Sequence, residues 1–257
     1  MDTLECGFKT DLEFERKVAK HYIIKTAFAE GRNLTEPEAY RVMEDYSIPV
    51  PPYGIAGNAK EAAKISANIG FPVVLKIISP DILHKSDVGG VRLGIFSKTE
   101  AEKAYEEILQ NVSRWQPEAK VEGILVAGVP RSHRSNKELV NQKDVLEVII
   151  GAVKDPEFGF AVMFGLGGIF VEIAKDVTFR VVPITREDVI QMMSGIKAAM
   201  MLEGIRGRDP RDKNALVDIV LSISFLVQEN PCITAVDLNP VFSFDKGACV
   251  VDAKITL

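Results

Sequence analysis

"GFPVVLKIISPDILHKSDVGGVRLGI", residues 70–95, sets a lysine, Lys76, inside an apolar run, a histidine, His84, eight residues further on, and two adjacent glycines, Gly89 and Gly90, after that. Phe71 to Ile78 reads as a strand, so the lysine lies on a strand and the histidine lies between that strand and a glycine loop. Two readings fit these letters. A strand lysine beside backbone N–H groups can hold an anion, but a lysine snorkelling to the surface and an ordinary hairpin turn would leave the same pattern.

Outward from this stretch, helix and strand alternate. Asn58 and Glu61 predict a helix start and Gly70 its end, while Ser97 and Glu100 predict a second helix with Ala101, Ala104, Tyr105 and Ile108 in register. Upstream, Thr35 and Glu38 in "TEPE" fit a capping box before the apolar stripe Ala39, Val42, Met43 and Tyr46. Further upstream, Phe14, Val18 and Tyr22 share a helical face that Gly31 closes, making residues 1–34 a helical extension. Downstream, strands are expected through "EVIIGAV", "FAVMFGLGG" and "IFVEIAKDVTFRVVPI". A helix capped by Thr185 and Asp188 and another over 213–229 follow, then a hairpin of "CITAVDLNPVFSF" and "ACVVDAKITL" about the turn "DKG". The polar, basic stretch 130–144 reads as an exposed loop.

Composition excludes several classes. The chain has 257 residues, 47% hydrophobic and 26% charged, with a formal net charge of -5, so it can bury a substantial core and offers no general attraction for a nucleic-acid backbone. Three widely spaced cysteines, Cys6, Cys232 and Cys249, form no C-x-x-C pair and suit reduced thiols. The start lacks a secretory apolar core and no segment is a membrane span, which leads to the expectation of a cytoplasmic protein.

For chemistry, no G-x-x-x-x-G-K-[ST] loop is present, and "FGLGGIF" lacks the helix that a dinucleotide fingerprint requires. Asp237, Asn239 and Asp252 carry oxygens of the kind that magnesium accepts, and on paired strands Asn239 and Asp252 could converge. Hairpin turn chemistry explains the same residues equally simply.

Three long stretches, "GFPVVLKIISPDILHKSDVGGV", "GAVKDPEFGFAVMFGLGGIFVEIAKDVTFRVVPI" and "VDLNP", carry a resemblance over about residues 35–257. The chain resembles the ATP-grasp β subunit of the NDP-forming acyl-CoA synthetases, the family of ADP-forming acetyl-CoA synthetase, and more distantly the succinyl-CoA synthetase β subunit. The resemblance implies an α+β ATP-grasp fold: residues 1–34 an extension, 35–122 the first subdomain and 123–257 the second. It implies ATP/ADP and Mg2+ as cofactors. The implied partner is a CoA-binding α subunit carrying a phosphohistidine, in an α2β2 heterotetramer, and this chain would pass the phosphoryl group between that histidine and ADP. An ATP-grasp carboxylate–amine ligase and a non-catalytic nucleotide sensor are the rival readings.

Site residues follow by position. The resemblance implies that Lys76 reaches the nucleotide phosphates, Gly89 and Gly90 cover them, Glu147 contacts the ribose, and Asn239 and Asp252 bind magnesium. It implies that Asp237 meets the partner's phosphohistidine, and that His84 is a second phosphoryl acceptor, as the matching histidine is in some members. A solvated strand glutamate remains the plain alternative for Glu147, and a polar loop residue that for His84. Glu172 and Arg180 fall in the strongest motif without an assigned role. Relatives commonly read "LVQEM" at the hinge where adenine sits, whereas this chain reads "LVAGVP" and leaves backbone groups at Ala127 and Val129 for the base. The loop that follows is longer than usual by roughly a dozen residues, an insertion of small entropic cost.

Overall fold

The computed structural model describes residues 20–82, 84–131, 145–168, 176–204 and 209–257. Six α-helices are described: α1 (Tyr22–Ala29), α2 (Glu36–Asp45), α3 (Ala59–Ile69), α4 (Lys98–Trp115), α5 (Arg186–Gly195) and α6 (Lys213–Glu229). Their starts follow the local sequence. The Asn58 side chain accepts from the Glu61 amide at 2.9 Å, and that of Ser97 from Glu100 at 3.2 Å. Thr185 and Asp188 close a full capping box. Each bond satisfies an amide that the first helical turn leaves open, which fixes where the helix begins. Among the described residues no helix is long and apolar enough to cross a membrane.

The chain divides into two units. One is Thr35–Pro37 with Val50–Pro130; the other is Met1–Leu34, Glu38–Pro49 and Arg131–Leu257. The expected boundaries therefore shift. Strand β4 (Gly123–Gly128) is an inner strand of the first unit's four-stranded antiparallel sheet, in the order β1 (Tyr53–Ala56), β4, β2 (Val73–Ile78), β3 (Val91–Ile95). The first unit thus reaches Pro130 instead of stopping at Glu122. Of the expected extension over 1–34, the described residues 20–34 belong to the other unit, and the end of the chain bonds to them: Leu257 N–H donates to Asn33 Oδ1 at 3.0 Å. Most of α2 also falls in this unit, and the Tyr40 hydroxyl donates to the Val251 carbonyl. Within α1 the buried residues are Ile24 and Ala27, while Tyr22 is 65% exposed, so the expected apolar face is turned by part of a turn. Phe14 and Val18 lie outside the described residues.

In the first unit α3 and α4 pack on the sheet, and the core joins Val73, Leu75 and Ile77 of β2 to Ile124, Val126, Tyr105 and Ile108. Strand alternation sends Lys76 to the opposite face from Leu75 and Ile77. The other unit holds a six-stranded antiparallel sheet. Its order is β10 (Ala253–Thr256), β8 (Ala235–Ser243), β5 (Leu146–Asp155), β6 (Gly159–Leu166), β7 (Val177–Val181), with β9 (Ala248–Val250) also paired to β8. Helices α5 and α6 pack on it, and Val236, Leu238, Ile150, Phe164 and Leu166 are buried. The expected hairpin forms, but its return arm breaks into β9 and β10 at Val251–Asp252, opposite Asn239–Pro240.

Candidate functional site

Lys76 is nearly buried, with 9% of its side chain exposed. An ammonium cannot stay charged in such a place without partners, and Glu36, the first residue of α2, supplies one. Lys76 Nζ donates to Glu36 Oε1 at 2.5 Å, and Lys85 Nζ donates to the other oxygen, Oε2, at 2.7 Å. Burial alone would push the Glu36 carboxyl up, but the attraction of Lys76 and then Lys85 outweighs it and holds the group below the ordinary glutamate value. The three residues leave one positive charge beside the glycine loop.

That loop is a tight one. Gly89 has φ +64°, a left-handed conformation that suits glycine, and its carbonyl accepts from Asn111 Nδ2 at 3.2 Å. A Cβ on Gly90 would lie 2.6 Å from Ile77 Cγ2 and 2.9 Å from the Lys85 carbonyl oxygen, so only glycine fits there. The Gly90 amide donates to that Lys85 carbonyl at 2.7 Å, and the Gly90 carbonyl accepts from Ile77 N–H at 2.8 Å. His84 opens the turn with its side chain exposed, its own carbonyl accepting from Asp87 N–H at 3.2 Å. Ala127 lies within β4, flanked by Tyr53 of β1 and Val74 of β2, and Val129 follows the end of the strand.

The second unit places the other expected residues on one sheet face. Along β8, Val236 and Leu238 point to the core while Asp237 and Asn239 are exposed on the opposite side. The register sets Lys254, Asp237, Gly151, Met163 and Phe179 in one row across β10, β8, β5, β6 and β7. Glu147, exposed on β5, lies four residues before Gly151 and so shares that face. Its carbonyl accepts from Gly167 N–H at 2.7 Å. Packing around the Asp237 carboxyl pushes it above the ordinary aspartate value, against the pull of Lys254 directly opposite.

Asn239 and Asp252 meet at the break between β9 and β10, where Asn239 N–H donates to the Asp252 carbonyl at 3.2 Å. An amide oxygen and a carboxylate on facing backbones suit a hard cation. No group of three or more His, Cys, Asp or Glu side chains among the described residues could hold a metal alone, so the rest of the coordination would come from phosphate and water, as magnesium prefers. Cys232 and Cys249 are free thiols. Arg180 lies on β7, where its guanidinium donates to the Phe179 carbonyl at 2.9 Å. Glu172 and nearly all of the 130–144 loop lie outside the described residues. Sequence reasoning missed Glu36. It stands in "TEPE", where capping explains every letter, and its lysines follow 40 and 49 residues later.

Residues 26–257 match the model of a family described as an ATP-grasp domain. The β subunit of acetate–CoA ligase [ADP-forming] I from Pyrococcus furiosus is 46% identical over 242 residues, covering 94% of this chain and 99% of the relative. Two solved structures of the dinucleotide-forming acetyl-coenzyme A synthetase 1 of Candidatus Korarchaeum cryptofilum are also similar. One, in complex with coenzyme A, Ca-AMPCP and HgCl+, has a TM-score of 0.82 at 44% identity, covering 90% of this chain and 96% of that one. The other, with coenzyme A and Mg-AMPPCP and its phosphohistidine segment pointing towards the nucleotide-binding site, has a TM-score of 0.75 at 39% identity, covering 91% and 98%.

Proposed function

The chain belongs to the ATP-grasp family and, within it, to the β subunits of the ADP-forming acetate–CoA ligases, and from that premise we propose that it transfers a phosphoryl group between a partner subunit's phosphohistidine and ADP. The observation that carries this reading is the pair of ammonium groups, Lys76 and Lys85, drawn to one buried carboxylate beside the Gly89–Gly90 turn. Phosphoryl transfer is largely positioning and charge neutralisation, and it needs no activated serine or cysteine. Lys76 reaches the nucleotide phosphates and the Gly89–Gly90 turn covers them, while Glu147 contacts the ribose and backbone at Ala127 and Val129 the base. Asn239 and Asp252 hold magnesium, which when bound neutralises charge on the phosphate oxygens. Asp237 faces the incoming phosphohistidine.

His84 is the relay. The P–N bond to the partner's imidazole breaks as a P–N bond to His84 forms, and that bond breaks in turn as the ADP β-phosphate oxygen takes the phosphoryl group. The acyl-CoA half of the reaction belongs to a CoA-binding α subunit, in an α2β2 assembly. Acyl-CoA synthesis assayed with and without that subunit, beside calorimetry of Mg-ADP, tests the division of labour. The chain alone is expected to bind nucleotide and make no thioester, and robust synthesis by the chain alone would overturn the two-subunit reading. Rapid quench with γ-labelled ATP is expected to put acid-labile, base-stable label on this chain. His84→Ala should keep nucleotide affinity and lose most transfer, and wild-type turnover by that variant would remove His84 from the route.

A further inference from the structure

Four bonds close a ring through Glu36. Its carboxylate accepts from Lys76 on β2 and from Lys85 in the loop; the Lys85 carbonyl accepts from Gly90, and the Gly90 carbonyl accepts from Ile77, the residue next to Lys76. The glycine turn and the lysine strand are thus tied to each other twice, once by backbone and once by charge. A merely structural trio would be a poor use of three charges, since apolar residues of similar size fill such a space at equal or lower cost. The trio is also lopsided: 2% of the Glu36 side chain is exposed but 21% of that of Lys85, so the cationic end is the one a ligand can reach.

We infer that Glu36 is a positioning residue for phosphoryl transfer, acting through Lys76 and Lys85 to hold both ammonium groups and the His84–Gly90 turn in one arrangement before the nucleotide arrives. The inference rests on the phosphate-grip reading above. It departs from a plain counter-ion role in one respect: removing the carboxylate also removes the partner that keeps buried Lys76 charged and leaves the more exposed Lys85 as the cation, so the net positive charge that attracts ADP is kept while the geometry that transfer needs is lost. Binding and turnover should therefore separate.

The full-length chain with Glu36→Gln, which keeps the shape and removes the charge, tests this, with Glu36→Asp as the conservative variant. Hydrogen exchange on the free chain comes first. The Gly90 and Ile77 amides are expected to exchange at least tenfold faster in Glu36→Gln while β4 amides keep their protection, and Glu36→Asp should fall between. With the α subunit added, kcat for ADP phosphorylation should fall at least tenfold with KM for ADP unchanged or lower. The loss should be smaller when Lys85 is already Met, because Glu36 then acts through Lys76 alone. Unchanged exchange at Gly90, a raised KM with unchanged kcat, or additive effects of Glu36→Gln and Lys85→Met would each overturn the inference. A wild-type complex that phosphorylates no ADP would instead strike the reading of the site, and would be seen before any variant is made. Where Glu36→Gln does not fold, Glu36→Asp carries the same criteria.

Discussion

The two units handle charge in opposite ways. In the first unit the cations are inside and already answered: Lys76 and Lys85 share Glu36, and the carboxyl is held below its ordinary value despite its burial. In the second unit the acidic and amide groups stand on the outward face of a strand, and Asp237 is held above its ordinary value with only Lys254 opposing the shift. A buried cation without a partner would lose its charge, so a lysine on a core strand has to have its own anion beside it. The exposed Asn239 amide carries no charge and faces no such demand.

Breaking the first unit's buried charge cluster should have the largest effect. Lys76→Met leaves Glu36 buried with a single ammonium, and the first unit should lose about 3 kcal/mol, the low end for a broken buried pair because Lys85 remains. Nucleotide binding should fall roughly 100-fold with the loss of a charge-assisted contact to phosphate. Chemical denaturation and calorimetry measure the two. A stable variant that still binds Mg-ADP tightly would show that Lys76 is only a strand lysine with a counter-ion.

Changes at Asn239 and Asp252 in the second unit should be milder and should depend on magnesium. Asn239→Ala or Asp252→Ala removes one oxygen from a cation that demands good geometry, so the magnesium concentration giving half-maximal nucleotide binding should rise by about tenfold. Stability in magnesium-free buffer should change little for Asn239→Ala, whose side chain is exposed. Magnesium titrations at fixed ADP separate this from a general loss of affinity, and an unchanged titration in both variants removes the pair from the site.

How much of this could be read in the letters depends on how far apart the partners lie. Asn58 with Glu61, Ser97 with Glu100 and Thr185 with Asp188 are three residues apart, and each helix starts where its pair predicts. The β8 hairpin was legible for the same reason, its turn and strands being contiguous. Strand β4 was not: it follows α4 in the chain but inserts between β1 and β2, and nothing within Gly123–Gly128 states that pairing, so the boundary near Glu122 came out short. The positions of Lys76, Gly89 and Gly90 came from a long matching motif. Their counter-ion did not, because a glutamate at a helix start explains itself locally and hides its longer-range role. The apolar face of α1 was misjudged at Tyr22 because a tyrosine counts as apolar by composition while its ring is 65% exposed here.

The smallest expected effect is the most direct reading of the contrast, since the two carboxylates should bend the pH dependence of stability in opposite directions. Glu36 has a folded pKa below its ordinary 4.5, so its contribution is present above that pH and is lost as pH falls through the lower folded value. Asp237 has a folded pKa above its ordinary 3.8, so its charged form costs stability at neutral pH, and the cost disappears below 3.8, where the carboxyl is protonated in both states. Asp237→Asn should therefore be slightly more stable than the wild type at pH 7, with the difference vanishing by about pH 3.8, while transfer from the partner's phosphohistidine is impaired. Glu36→Gln should be less stable at pH 7, and the gap should close in acid. Urea midpoints of the two variants and the wild type at four or five pH values are enough to compare the signs. If Asp237→Asn is the less stable chain at neutral pH, the aspartate is a structural partner of Lys254, and the contrast between the two units fails at that residue.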